Sequence, residues 1–276
     1  MLTNHRRESF TLMRTAKLRH FIKSIIPSNM TRYIQYKKAE HRTLSLMREH
    51  MHSTAATGFS GLFVLDYKAA FSTRERVIDG EEYYSQLYQD YFLDKFIFFR
   101  KTGGLFLDIG GNDPVAINNT YFFEKNRDWS GLAFEPIAAQ RAKWKDSRKT
   151  ECLPAALGST TGEAEFCEYD AHYMSGFTND VDCSGKVKTR YKVPVMRLAD
   201  VLSERGIKHV DFVSLDVEGA ELEVLQGIDF SSVEIDCFCI ENNKGKRKEK
   251  PVRQFMTEHG YKMKAWLWID EVWVKG

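Results

Sequence analysis

The chain has 276 residues, 43% of them apolar, which is enough to bury one large core and too little for two full catalytic domains. Its net charge of +2 hides a split: residues 1–50 hold 11 Lys and Arg against 3 Asp and Glu, a surplus of +8, so the remainder carries −6. No apolar run reaches the ~18 residues that span a bilayer, and Cys152, Cys167, Cys183, Cys237 and Cys239 form no Cys-x-x-Cys pair, which argues against a membrane-spanning protein, a disulfide scaffold and a zinc site.

The expectation is therefore a cytoplasmic protein with reduced thiols, divided into a basic, mainly helical extension over 1–80 and one catalytic α/β domain over 81–276. In the extension, Leu18, Phe21, Ile22 and Ile25 recur at helical spacing among Arg14, Lys17, Arg19 and Lys23, until Pro27 stops the pattern. Such a basic amphipathic helix lies on the inner face of an anionic membrane, docks a protein partner, or packs on its own domain. Nucleic acid has only the charge in its favour, so it is not an expected partner.

From Glu81 to Arg100, the stripe Tyr84, Leu87, Tyr88, Tyr91, Phe92 and Phe96 predicts a helix packed on a sheet. Strand-like runs then alternate with helical patterns. The strands are expected at 105–109, 131–135, 151–156, 210–216 and 233–241, and the helices near 118–125, 137–145, 220–225 and 252–259. Two extended runs, 261–266 and 268–275, look like a closing antiparallel pair. The result is a Rossmann-like, mostly parallel seven-stranded sheet with an antiparallel C-terminal strand. Between Glu163 and Val195 the pattern loosens into polar, glycine-containing sequence, too long for an idle connection and read as a substrate-facing insertion.

The most informative stretch runs from Gly104 to Asp113. An apolar run leads into Asp108, Gly110, Gly111 and Asn112, and Glu135 closes the next apolar run, where a carboxylate accepts hydrogen bonds from ribose hydroxyls. Pro114 and Val115 stand where a dinucleotide fingerprint would place its third glycine, so the pyrophosphate site is missing. S-adenosyl-L-methionine, which has a ribose and no phosphate, fits this pattern better.

These residues resemble the FkbM family of S-adenosylmethionine-dependent methyltransferases over roughly 84–274. The carriers are Phe106-Leu107-Asp108-Ile109-Gly110-Gly111-Asn112, Phe134-Glu135-Pro136, Pro154-Ala155-Ala156-Leu157-Gly158 and, most specifically, the run from Ser214 through Asp216-Val217-Glu218-Gly219 to Leu225. Ser85-Gln86-Leu87-Tyr88-Gln89-Asp90 is similar to the family's Ser-Gln-x-x-x-Asp opening helix, and Asp270-Glu271-Val272-Trp273 to its final strand. The family commonly has Ala at the place of Gly111 and Gly at that of Pro114.

The resemblance implies a class I methyltransferase that O-methylates a hydroxyl of a saccharide, in a polysaccharide, a lipid-linked saccharide or a glycosylated metabolite. Gln86, Asp108, Gly110, Asn112, Glu135, Pro136, Ala155 and Ala156 are then the cofactor set. In it Asp108 orients the cofactor amine directly or through water, Asn112 bonds the amino-acid portion, Glu135 holds the ribose, and the two alanines leave room for adenine. The blander alternatives are a turn cap for Asp108, a surface carboxylate for Glu135 and core packing for the alanines.

Methyl transfer to an alcohol needs a proton acceptor. Asp216 and Glu218 share a face if the fourth strand continues past them, and either takes the proton or holds a sugar hydroxyl. With Glu241 at the end of the fifth strand they also make an oxygen donor set for a divalent cation. The alternative for Glu218 is a cap on the helix that follows. His172, in the polar insertion, has the acidity of a general base, although a loop histidine is often only surface. Asn242 and Asn243 follow the fifth strand, and Lys244, Lys246 and Arg247 could attract an anionic acceptor. Against base or amide N-methylation stands the absence of an Asn-Pro-Pro-Tyr run after the fourth strand. A nicotinamide-dependent sugar oxidoreductase or epimerase would want a catalytic Tyr-x-x-x-Lys near the nucleotide site, and Tyr33 and Lys37 lie far upstream. A methyltransferase-like binding module without catalysis is the remaining alternative.

Overall fold

A computed structural model describes residues 63–65, 76–78, 80–169, 175–177, 187–242, 246–267 and 269–276. The basic segment 10–26, Tyr33, Lys37, His172, Cys183, Asn243 and Lys244 lie outside the described residues, as do the side chains of Lys246 and Arg247.

Strands β1 (Phe63–Leu65), β2 (Arg76–Ile78) and β3 (Glu81–Tyr83) come first. Helix α1 (Gln89–Phe92) follows and runs on into a wider π-helical turn over Leu93–Ile97. Then come β4 (Leu105–Ile109), α2 (Tyr121–Arg127), β5 (Ser130–Phe134), α3 (Ala138–Ser147) and β6 (Glu151–Leu153). An excursion follows: β7 (Ala156–Leu157), β8 (Gly162–Tyr169), β9 (Gly176–Phe177) and β10 (Val187–Met196). The chain closes with α4 (Leu198–Glu204), β11 (His209–Leu215), α5 (Glu221–Gln226), β12 (Glu234–Glu241), α6 (Lys246–Glu258), β13 (Tyr261–Leu267) and β14 (Asp270–Lys275).

The main sheet has the order β1-β13-β14-β12-β11-β4-β5-β6 among the described residues. Strands β12, β11, β4, β5 and β6 run parallel, whereas β14 is antiparallel to both β12 and β13. This mixed α/β sheet is consistent with the expected methyltransferase fold. It has eight strands rather than seven, because β1 adds to the edge of β13 in parallel.

The central strands alternate their side chains between two apolar layers. Leu107 and Ile109 of β4, with Val213 and Leu215 of β11, enter one core. On the other face of the sheet Phe212 meets Phe98 and Phe123, and Phe123 meets Trp129, in a cluster with ring centroids 4.9–5.9 Å apart. Burial on both faces is what the near-continuous apolar runs require. The four described cysteines are free thiols, and Cys237 and Cys239 sit fully buried in β12.

Two expectations are corrected. Residues 81–100 do not form one helix: a hairpin of β2 and β3 opens the segment, and the turn before α1 is wrapped around Asp90. The buried Asp90 carboxylate accepts Tyr84 N–H at 2.5 Å, Ser85 N–H at 3.1 Å and Ser85 Oγ–H at 2.5 Å. Such side chain to backbone bonds compete with helical ones and delay the helix to Gln89. Arg127 then ties hairpin to helices, with Nε 2.6 Å from Asp94 and Nη1 2.6 Å from Glu81, whose carboxyl is lowered to about 2, chiefly by that guanidinium.

The loose stretch after Glu163 is not an irregular insertion either. It holds a second sheet, β7-β10-β8-β9, whose long strands β8 and β10 pair antiparallel. The seed is a small apolar cluster in which Ile137, at the start of α3, packs with Phe166 of β8 and Val193 of β10. Polar residues dominate these strands because their other face is exposed, and that hides the strand signal.

Candidate active site

A cleft opens beyond the carboxyl ends of β4, β5 and β11. This is the end of an open α/β sheet where ligands bind. One wall is the loop after β4, the second is the Glu135-Pro136-Ile137 segment, and the third is Asp216-Val217-Glu218. Ser175, Gly176 and Phe177 with Phe166, all from the excursion, close it.

The loop after β4 has a conformation that only certain residues allow. Gly110 has φ 81°, and a Cβ there would lie 1.7 Å from the carbonyl oxygen of Asp216. Its N–H donates to Phe134 O at 3.0 Å, while Asp216 N–H donates to Ile109 O at 3.0 Å, so three strand ends are laced together at this point. Asn112, at φ 36°, is left-handed as well, which an asparagine tolerates. Its backbone N–H donates to Glu135 Oε2 at 2.9 Å and its carbonyl accepts from Trp144 Nε1 at 3.0 Å. Asn112 lines the cleft, and its Oδ1 is buried with no hydrogen-bond partner among the described residues.

Glu135 is 3% exposed at the tip of β5. Burial raises its carboxyl to about 7, against the pull of Ile137 N–H at 2.6 Å, Asn112 N–H and the Arg141 charge. Each carboxylate oxygen still has acceptor capacity after one backbone bond. A buried carboxylate with its proton affinity raised and a buried amide oxygen with no partner among the described residues are groups that can meet hydroxyls and amines of a ligand. These residues fit the nucleoside and amino-acid ends of S-adenosylmethionine.

Asp108 is placed differently from expectation. It does not line the cleft but is buried behind the loop, accepting Asn118 Nδ2–H at 2.9 Å and Thr120 Oγ1–H at 2.5 Å, with burial raising its carboxyl. Arg148 completes the brace, donating to Pro114 O at 2.8 Å and Glu124 Oε2 at 2.9 Å. Gln86 is half-buried and also lies outside the cleft lining, whereas Gly110, Pro136 and Ala156 line it; Ala155 is buried next to Ala156 without reaching it.

The third wall is acidic. Strand β11 ends at Leu215, so Asp216 and Glu218 are not successive positions on one face of a strand. Instead Glu218 turns left-handed, at φ 58°, and this brings one oxygen each of Asp216, Glu218 and Glu241 within 4.8 Å of one another. The helix cap falls to a neighbour: Glu221 Oε1 accepts Gly219 N–H at 2.9 Å ahead of α5. Asp216 is open to solvent within the cleft yet walled by protein. Desolvation and then the charges of Glu241, Glu218 and Asp270 raise its carboxyl well above the ordinary range.

Asp270, outside the cleft lining but acting on Asp216 through its charge, is the carboxylate that sequence reasoning missed. The β12–β14 register sets it opposite Glu241, and Gln89 donates its side-chain amide to it. Burial raises its carboxyl to about 7. The signal was the Asp270-Glu271 pair at the start of the last strand, whose partner only the antiparallel register reveals. The aromatic cover, Phe166 and Phe177, was missed for a similar reason, since it depends on the second sheet.

No helix among the described residues is long and apolar enough to cross a membrane. No curated protein matches the chain. Among solved structures it is similar to the crystal structure of methyltransferase FkbM from Methylobacillus flagellatus KT, at 13% identity and a TM-score of 0.47. That likeness covers 69% of this chain and 48% of the other, so the chain spans about half the length of that protein. Residues 108–263, more than half of the sequence, match the family model of the methyltransferase FkbM domain, and they take in both the glycine loop and the acidic wall: the chain belongs to the FkbM methyltransferase family.

Proposed function

We propose that the protein is an S-adenosylmethionine-dependent O-methyltransferase acting on a hydroxyl of a saccharide. The observation that carries the reading is the composition of the cleft. Its lining holds both a glycine loop with Asn112 and Glu135 and a carboxylate pair, Glu218 and the raised Asp216. Glu135 would accept the ribose hydroxyls, Asn112 Oδ1 the ammonium of the amino-acid portion, and Pro136, Ile137 and Ala156 would flank the base. Bound there, the cofactor supplies an electrophilic methyl group on sulfur. In this reading Asp108 is a positioning residue, acting through Asn118 and Thr120 on the loop.

Asp216 would take the proton of the acceptor hydroxyl. Its raised affinity for a proton suits it to that work better than a solvated carboxylate, and Glu218 would orient the hydroxyl. The same wall supplies a donor set of oxygen atoms for a divalent cation of the Mg²⁺ or Ca²⁺ class through Asp216, Glu218 and Glu241, which fits such a hard ion. Chelation followed by Mg²⁺ add-back separates the two roles: unchanged turnover after chelation leaves the cluster to proton transfer alone. His172 remains a second candidate base, and segment 10–26 a candidate for docking on an anionic membrane surface or a protein partner.

Calorimetry with S-adenosylhomocysteine tests the foundation. Glu135→Ala is expected to weaken binding by about a hundredfold, the loss of two charge-assisted hydrogen bonds, with the fold retained by circular dichroism. Equal affinity in variant and wild type would remove the basis for this pocket.

A further inference from the structure

Pro136 separates the cleft from a second groove between the first turn of α3 and strands β8 and β10. Its walls carry Arg141, Lys188 and Lys192 against a single carboxylate, Glu168. Glu168 is committed, accepting Lys188 Nζ–H at 2.6 Å and Tyr191 O–H at 2.9 Å. The Lys192 pairing with Glu163, at 3.5 Å between two largely exposed side chains, neutralises little. Arg141 donates Nη1–H to the carbonyls of Glu135, at 3.1 Å, and Pro136, at 2.6 Å, which fixes its guanidinium without a salt bridge among the described residues. Helix α3 adds to this field, having no acidic residue in its first turn.

The groove also has a face for a ring. Tyr191 stands in its wall, and its ring packs 5.9 Å from that of Phe166, which lines the cleft on the other side. Cleft and groove thus share one partition of aromatic and proline side chains, with carboxylates in the lining of the cleft and positive charge in the groove. An acceptor with an acidic substituent would be repelled by Asp216, Glu218 and Glu241 and attracted past Pro136.

We infer that this groove is a binding site for an anionic group, a phosphate, sulfate or carboxylate, carried by the saccharide acceptor; the inference rests on the saccharide reading above. The test is calorimetry on the full chain with inorganic phosphate, glucose 1-phosphate and glucose, repeated with Lys188→Gln/Lys192→Gln. Both anions are expected to bind, glucose 1-phosphate more tightly because Tyr191 meets its ring, and glucose to give no heat. The double variant is expected to weaken both anions by about tenfold or more, because it removes the Lys192 charge and leaves the Glu168 carboxylate without its Lys188 counter-charge, and to leave S-adenosylhomocysteine affinity unchanged. Absence of anion binding, or equal binding by variant and wild type, overturns the site. Inorganic phosphate binding as tightly as glucose 1-phosphate overturns its assignment to a saccharide. Anion binding that survives while S-adenosylhomocysteine fails to bind would instead sink the methyl-transfer reading and leave the groove standing.

Discussion

Asp216 bears a strong electrostatic conflict in the cleft, since four other carboxylates, Glu241, Glu218, Asp270 and Glu221, act on it with no basic side chain among its leading influences. As a proton acceptor it works only when ionised. Activity should therefore rise with pH along an acid limb that lies above the ordinary carboxylate range, the direction its raised affinity for a proton dictates. Asp216→Asn is expected to lower kcat by about 10²–10⁴-fold and to flatten that limb, with cofactor affinity retained. A pH–rate profile that keeps its acid limb in the variant would assign the base elsewhere. Glu135 makes a different demand. Its folded carboxyl binds a proton more tightly than the ordinary value of 4.5 allows, up to about 7, so the folded state loses stability as pH rises through that window. The shift corresponds to on the order of 3 kcal/mol. Denaturant titrations at about pH 5 and about pH 8 should show a smaller loss in Glu135→Gln than in wild type. Both residues could be read in the sequence, because each stands where an apolar run ends in a carboxylate. Asp108 was legible as important and not as a brace, since nothing in a linear pattern tells whether a side chain faces a ligand or the loop behind it.

At the scale of elements, the loop after β4 is the hinge of the argument. Gly110 holds a positive φ and its missing Cβ leaves space for the Asp216 carbonyl. Gly110→Ala should cost at least about 3 kcal/mol and abolish S-adenosylhomocysteine binding, measured by thermal shift and calorimetry. A variant that keeps both would mean the strand ends part more easily than their lacing implies. The strands that meet here were readable in advance to within a residue or two, because burial on both faces makes them continuous apolar runs. The stretch 81–100 was not, for its helical stripe is real but Asp90 diverts the backbone before Gln89. Likewise the second sheet was read as loop, since half-exposed strands such as Val187–Met196 carry Lys, Thr and Arg where a periodicity argument looks for apolar residues.

For the molecule as a whole, the sequence disclosed the alternation of strands and helices and the reversed last strand. It did not disclose the added edge strand β1, a three-residue element too short to announce itself. The concentration of positive charge in residues 1–50 makes a prediction at this scale. Deleting residues 1–27 is expected to weaken sedimentation with phosphatidylserine vesicles, at roughly 1 kcal/mol for each basic residue lost from the surface, and to leave cofactor affinity intact. Equal vesicle binding by both forms would exclude a membrane role for that segment.

Cys237 and Cys239 lie in the strand that carries Glu241, and burial lifts both thiols well above their ordinary range. Alkylating reagents can reach them only when the middle of the main sheet comes apart, whereas half-buried Cys152 sits near an edge. The protein thus carries its own built-in clock for opening: the lag before this pair reacts times the rupture of the scaffold beneath the acidic wall, with no dye or tag required.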